Sequence, residues 1–240
     1  MNIQQPLAIV IGAGRGCATE TAVELAARGF DIGLIDAGGG DLEATVNAIS
    51  GHDSLATVYP VDMSNVGGYE ELLDRIVREC GPIACLVNHY AHPRVSAADS
   101  LCLSSDSIDG LIDYEFCGSF SFTQAVAARM SRTAARGPRT LITVTSACAR
   151  PDSHQPSASC LSRTGFRTTR QTFAQRLALL GVGVFEIRIS EPLAHAKEPA
   201  SRNEAYRSVA SIVAALASGR IAMPSGSALD VELAHPNAQH

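Results

Sequence analysis

Residues Val10 to Ala18 read V-I-G-A-G-R-G-C-A, with glycines at 12, 14 and 16 directly after an apolar run and at the start of a segment with helical spacing. Glycine in such a turn lets backbone amides approach a pyrophosphate, and the helix N-terminus that follows favours its negative charge. The next apolar run ends at Asp36, where a carboxylate can accept hydrogen bonds from a ribose diol and would repel a 2′-phosphate. A dinucleotide held by these residues would be NAD rather than NADP. Asp36 also precedes the run Ala-Gly-Gly-Gly-Asp (37–41), and a turn residue is the other reading of the same carboxylate. The seven cysteines form no Cys-x-x-Cys pair, and several sit in apolar runs such as IACLVN. They read as buried free thiols rather than as metal ligands or a disulfide framework, so no metal is expected.

The elements that must position these groups follow from periodicity. Strand-like runs LAIVIG (7–12), FDIGLID (30–36), LATVYPVD (55–62), IACLVN (83–88), TLITVTS (140–146), VGVFEIRI (182–189) and ALDVE (228–232) alternate with helical patterns. Helices are expected over about 17–28, after the capping candidate Asp41, over YEELLDRIVREC, and over about 107–131, 159–180 and 204–218. Strand, helix, strand repeated in this way implies parallel strands, right-handed crossovers and helices on both faces. The expected class is α/β: one domain over residues 1–240, a Rossmann-type doubly wound parallel sheet, with a loose tail from about residue 234. In such a sheet ligands gather at the carboxyl ends of the strands, which draws attention to His89 and Tyr90 after the fourth run.

Composition bounds the partners. A formal charge of −5 with interspersed charges offers no basic surface for nucleic acid. The first apolar run begins at Leu7 and reaches Gly12, too short to span a membrane, and no cationic leader precedes it. The expectation is a cytoplasmic protein with no membrane partner. Lys197 is the only lysine, and no tyrosine lies between Tyr114 and Tyr206.

Over nearly its whole length the sequence resembles the short-chain dehydrogenase/reductase family, in its 3-oxoacyl reductase branch. Gly12 and Gly16 match that family's glycine turn, with Ala18 at its third glycine. Asp62 matches its adenine-contacting acidic residue. CLVNHYA resembles its LVNNAG, which keeps Asn88, and LITVTSACA resembles the strand that ends in its catalytic serine, here Ser146. The resemblance implies an NAD site made by Gly12, Gly16, Asp36, Asp62 and Asn88.

Departures concentrate where the family does its chemistry. Its active-site asparagine, tyrosine and lysine fall on Glu115, Ser159 and Arg163; its Pro-Gly after the sixth strand falls on Ile189-Ser190, and its final Gly-Gly on Leu233-Ala234. The connection from Ser190 to the next helix is expected to be only about a dozen residues, short for the segment that covers substrate in this family. An aliphatic hydroxyl ionises several units further from neutrality than a phenol, and arginine does not give up its proton. Glu115 and Arg163 could instead pair as a structural ion pair. Candidate replacements for the lost acid/base are Tyr90, His89 and His154.

What the resemblance then implies is a degenerate subunit of a hetero-oligomeric NAD-dependent 3-hydroxyacyl-CoA dehydrogenase, of the kind acting in anaerobic toluene breakdown. Its expected partner is an intact paralogous dehydrogenase, held through the helices at about 107–131 and 159–180, and the complex would act on an acyl-CoA. Phe166, Phe173, Leu177 and Leu180 supply the apolar positions of the second helix. Two alternatives stay open: a dehalogenase-, dehydratase- or cyclase-like enzyme using Ser146, Arg163 and Glu115, and an NAD-binding sensor or scaffold.

Overall fold

Strands buried on both faces have to sit in the interior of a sheet, and the apolar runs do so here. In the computed structural model residues 5–36, 40–89, 104–133, 137–146, 170–171, 173–189 and 199–231 are described. Their elements are β1 (Leu7–Ile11), α1 (Gly16–Ala27), β2 (Asp31–Asp36), α2 (Leu42–Ile49), β3 (Ala56–Pro60), α3 (Tyr69–Cys80) and β4 (Ile83–His89). Then come α4 (Ser105–Leu111), a π-helical segment (Ile112–Gly118), α5 (Ser119–Arg132) and β5 (Arg139–Ser146). The chain continues with α6 (residues 170–171 and 173–178), β6 (Val182–Ile189), α7 (Pro199–Ala217) and β7 (Ala228–Val231). All seven strands pair in parallel in the order β3-β2-β1-β4-β5-β6-β7. The doubly wound sheet expected from the sequence is thus observed, as a single domain.

Side chains alternate faces along each strand, and that alternation divides the core in two. Ala8 and Val10 join Ala22, Leu25, Val209 and Val213 on the side of α1 and α7. Leu7, Ile9 and Ile11 join Leu73, Ile76, Phe122, Val126 and Leu177 on the side of α3, α5 and α6. Asp41 caps α2 as expected, its carboxylate accepting the Ala44 amide at 2.8 Å.

Several boundaries differ from the sequence reading for local physical reasons. β3 stops at Pro60 instead of running to 62, because proline has no amide with which to extend the ladder. α7 begins at Pro199 rather than near 204; proline at the first helical position has a suitable φ and loses no bond the helix would have made. Residues 190–198, where the short connection was expected, lie outside the described residues. The long helix expected over about 107–131 is three pieces, with the π-helical turns at Ile112–Gly118 between α4 and α5. They lead into Gly118, where a β-carbon would fall on the Met63 carbonyl oxygen, a tertiary contact that local propensity cannot announce.

A buried ion pair ties α6 to the sheet. Arg170 Nη2 lies 3.0 Å from Glu186 Oε2, with both side chains 5% exposed. Arg170 Nη1 also donates to the carbonyls of Gly226 and Ser227 at 3.3 and 3.0 Å, and Thr145 Oγ1 donates to Glu186 Oε1 at 3.3 Å. Arg170→Met strands the glutamate charge in the interior and should cost about 3–5 kcal/mol of stability, whereas Arg170→Met with Glu186→Leu should regain most of it. Denaturant unfolding of the two variants checks this; equal losses in both would show that the charges are not the source.

Candidate functional site

The carboxyl ends of β1, β2 and β4 meet at the glycine turn. Gly12 has φ +79° and its amide donates to the Ile35 carbonyl at 2.8 Å. A β-carbon there would come within 3.1 Å of the His89 carbonyl oxygen, so glycine is what lets the ends of β1 and β4 approach. Gly16 opens α1 at φ +56°. No acidic residue lies in the first turn of α1, and Arg15 makes no side-chain capping bond. The backbone therefore has the form that suits an anion at a helix N-terminus. Thr19 and Thr45 brace the turn by donating to the Ala13 carbonyl at 3.2 and 2.9 Å. Ala18 is buried among the side chains between α1 and the sheet, so one methyl group fits where the family has its third glycine.

The candidate cofactor residues have described surroundings. Asp36 ends β2 and its Oδ2 accepts the Gly14 amide at 3.0 Å. Gly40 packs against both: a β-carbon on it would lie 2.5 Å from Gly14 Cα and 2.7 Å from Asp36 Oδ2. Asp62 is exposed beyond β3, and its Oδ1 accepts the Ser64 hydroxyl at 2.7 Å and the Ser64 amide at 2.9 Å. Those bonds hold its carboxyl below the usual range. Asn88 is 3% exposed in β4 between Ile11 and Thr143, with Nδ2 buried and without a partner. His89 extends β4 one residue beyond the expected strand and pairs with Val144. Its Nε2 is also buried without a partner, and burial pushes its pKa down to about 3. The ring is therefore neutral at pH 7.

The positions to which the resemblance gives a catalytic role fall only partly among the described residues. Ser146 is the last residue of β5, opposite Ile189 of β6, so its backbone stands at the carboxyl edge beside β4. Glu115 falls in the π-helical segment. Ser159 and Arg163 lie outside the described residues, and with them the expected Glu115–Arg163 pair, as do Tyr90, His154, Phe166, Ser190, Lys197, Leu233-Ala234 and the tail. Cys17, Cys80, Cys85 and Cys117 are unbridged; burial raises the Cys17 and Cys85 thiols to about 12, which leaves them unreactive. Leu177 faces the core at 7% exposure and is not available for assembly, whereas Leu180 is half exposed.

Two groups near the site went unnoticed in the sequence. The Arg170–Glu186 pair adjoins Thr145, the neighbour of Ser146. Its signal was present: Arg170 falls on the stripe completed by Phe173, Ala174 and Leu177, and a charge on an apolar stripe asks for a buried partner. Tyr206, far along the chain in α7, places its ring over Gly16, with Cε2 3.4 Å from where a β-carbon would be. No local pattern announces that contact.

Comparison with known proteins agrees with this architecture. Residues 6–194 match the short chain dehydrogenase family. The chain is 28% identical over 129 residues to 2,3-dihydro-2,3-dihydroxybenzoate dehydrogenase of Bacillus subtilis, aligning 54% of this chain with 49% of that protein. It is 30% identical over 132 residues to a subunit of (2S)-[(R)-hydroxy(phenyl)methyl]succinyl-CoA dehydrogenase of Thauera aromatica, aligning 54% of this chain with 52% of that one. These matches span about half the length of the curated relatives. Among solved structures, a 3-oxoacyl-[acyl-carrier protein] reductase from Brucella melitensis superposes with a TM-score of 0.83 at 29% identity, covering 95% of this chain and 96% of that one. The Brucella melitensis reductase in complex with NAD gives 0.81 at 30% identity, covering 95% of both chains. With the family match running across the glycine turn, the sheet and the β5 edge, the chain belongs to the short-chain dehydrogenase family.

Proposed function

We propose that this chain is the non-catalytic member of a hetero-oligomeric NAD-dependent 3-hydroxyacyl-CoA dehydrogenase, supporting an intact short-chain dehydrogenase that carries the reaction. The observation that supports it most is the state of His89. Alcohol oxidation by hydride transfer needs a positioned group that exchanges a proton near working pH. The sequence puts Ser159 and Arg163 where the family has tyrosine and lysine, and neither titrates near neutrality. Among the described residues, the replacement candidate at the strand ends is His89, and burial keeps it neutral with a pKa of about 3. Loss of such a group is worth roughly 10²- to 10⁴-fold in rate, about 3–5 kcal/mol of barrier.

Similarity to a relative that is itself a dehydrogenase subunit supports the hetero-oligomer, and its name supports an aryl-substituted acyl-CoA as the substrate class, as in anaerobic degradation of aromatic hydrocarbons. The partner face we assign includes the described helices α5 and α6. Phe120 of α5 and Phe173 of α6 meet edge-on at 5.4 Å, and Leu179 and Leu180 follow, 88% and 50% exposed.

Assayed alone with NAD and a 3-hydroxyacyl-CoA, the chain should oxidise substrate at least about 10²-fold more slowly than an intact family member, and co-expression with its paralogue should yield one co-purifying active complex. Oxidation by the isolated chain at the rate of an intact enzyme would sink the proposal. His89 also makes a prediction about pH. Its folded pKa lies below the unfolded value of about 6.5, so between those two pH values the unfolded chain binds more protons and stability falls as pH drops. His89→Asn should flatten that limb by up to about 1.4 kcal/mol per pH unit relative to wild type. Urea unfolding at several pH values from 7 down to 4 measures the difference, and parallel curves would contradict it.

A further inference from the structure

The glycine turn has a dinucleotide-binding backbone, yet both of its approaches are taken by the chain itself. In this class of site the second glycine lacks a side chain so that the backbone can meet the pyrophosphate, and the acidic residue ending the second strand meets the ribose. A bulky group lying over Gly16 narrows that approach to the backbone. That group is the Tyr206 ring, with Cε2, Cζ and the hydroxyl oxygen 3.4, 3.7 and 3.8 Å from the position of a β-carbon. A β-carbon at Gly16 would thus just touch the ring, so the gap between ring and turn is about one methyl group deep, less than a phosphate needs.

The ribose side is closed by a different element. Asp36 Oδ2 accepts the Gly14 amide at 3.0 Å, and the Gly14 carbonyl accepts the Asp41 amide at 2.8 Å. Both backbone polar groups of Gly14 are thus committed. Gly40 packs in front of them so closely that a β-carbon on it would clash with Gly14 Cα and Asp36 Oδ2, as only glycine against glycine allows. Asp41 is also the N-cap of α2, so moving Gly40 away would disturb the start of that helix.

We propose that the dinucleotide groove of this chain is filled from within, Gly40 holding the ribose place beside Asp36 and the Tyr206 ring holding the approach to Gly16, so that the isolated chain excludes NAD. The inference rests on the family's dinucleotide geometry and deepens the non-catalytic reading, because NAD then belongs to the partner's groove. Isothermal titration of the full chain with NAD and with ADP tests it, using wild type, Tyr206→Phe and Tyr206→Ala after thermal unfolding has shown each to be folded. Wild type and Tyr206→Phe should give no saturation with either ligand up to about 1 mM, and Tyr206→Ala should gain at least about tenfold in ADP affinity. Saturable NAD binding by wild type with Kd below about 0.1 mM overturns the inference; so does a folded Tyr206→Ala with no gain. If that variant does not fold, the wild-type titration decides alone: saturation overturns, and none supports. Tight NAD binding without hydroxyacyl-CoA oxidation would overturn this inference while leaving the non-catalytic subunit intact, whereas oxidation would remove that subunit assignment.

Discussion

Complete burial of β1 is the constraint on which the rest of the molecule depends. Its five residues are 0–5% exposed and send side chains alternately into the two halves of the core. A strand with no polar side chain and no solvent face can only lie inside a sheet covered on both sides, here between β2 and β4. Its carboxyl end is then where the chain leaves the sheet between neighbouring strands, and the chain can turn there only through Gly12 at φ +79°, beneath the His89 carbonyl. The glycine turn is as much a consequence of that crowding as a device for a ligand.

Around that end the structure spends polar groups in two ways. Arg170 and Glu186 are desolvated together and satisfied by each other, by Thr145 and by two backbone carbonyls, which locks α6 and the turn before β7 onto β6. A pair of this kind contributes little net stability but penalises any arrangement that separates it. Asn88 and His89 carry buried nitrogens without partners, each at a cost of about 1–3 kcal/mol. They stand where ligands meet such sheets, and burial holds the His89 ring neutral there.

The architecture was legible because it is written in periods. Continuous apolar runs such as IACLVN could only be two-sided strands, and Asp41 before an amphipathic segment marked a cap that the structure shows bonding to Ala44. Boundaries slipped where a single residue acted through geometry: Pro60 ended a strand early, Pro199 started a helix early, and the π-helical turns before Gly118 answer to a carbonyl on a different element. Arg170 was readable in principle as a charge on an apolar stripe, although its partner was not, since Glu186 lies on a strand brought alongside by the crossover.

The residue types were determined by the sequence alone: glycines at 12, 14 and 16, Asp36 at a strand end, and the serine and arginine that the resemblance sets against the family's tyrosine and lysine. Side-chain chemistry is local, so the limits on proton transfer at Ser159 and Arg163 follow from composition. Occupancy of space is not local. That Asp36 accepts the Gly14 amide and that the Tyr206 ring lies over Gly16 depend on residues that only the packing of α7 against α1 and the capping of α2 bring into place. Tertiary structure decided it because excluded volume acts between neighbours in space, whatever their separation along the chain.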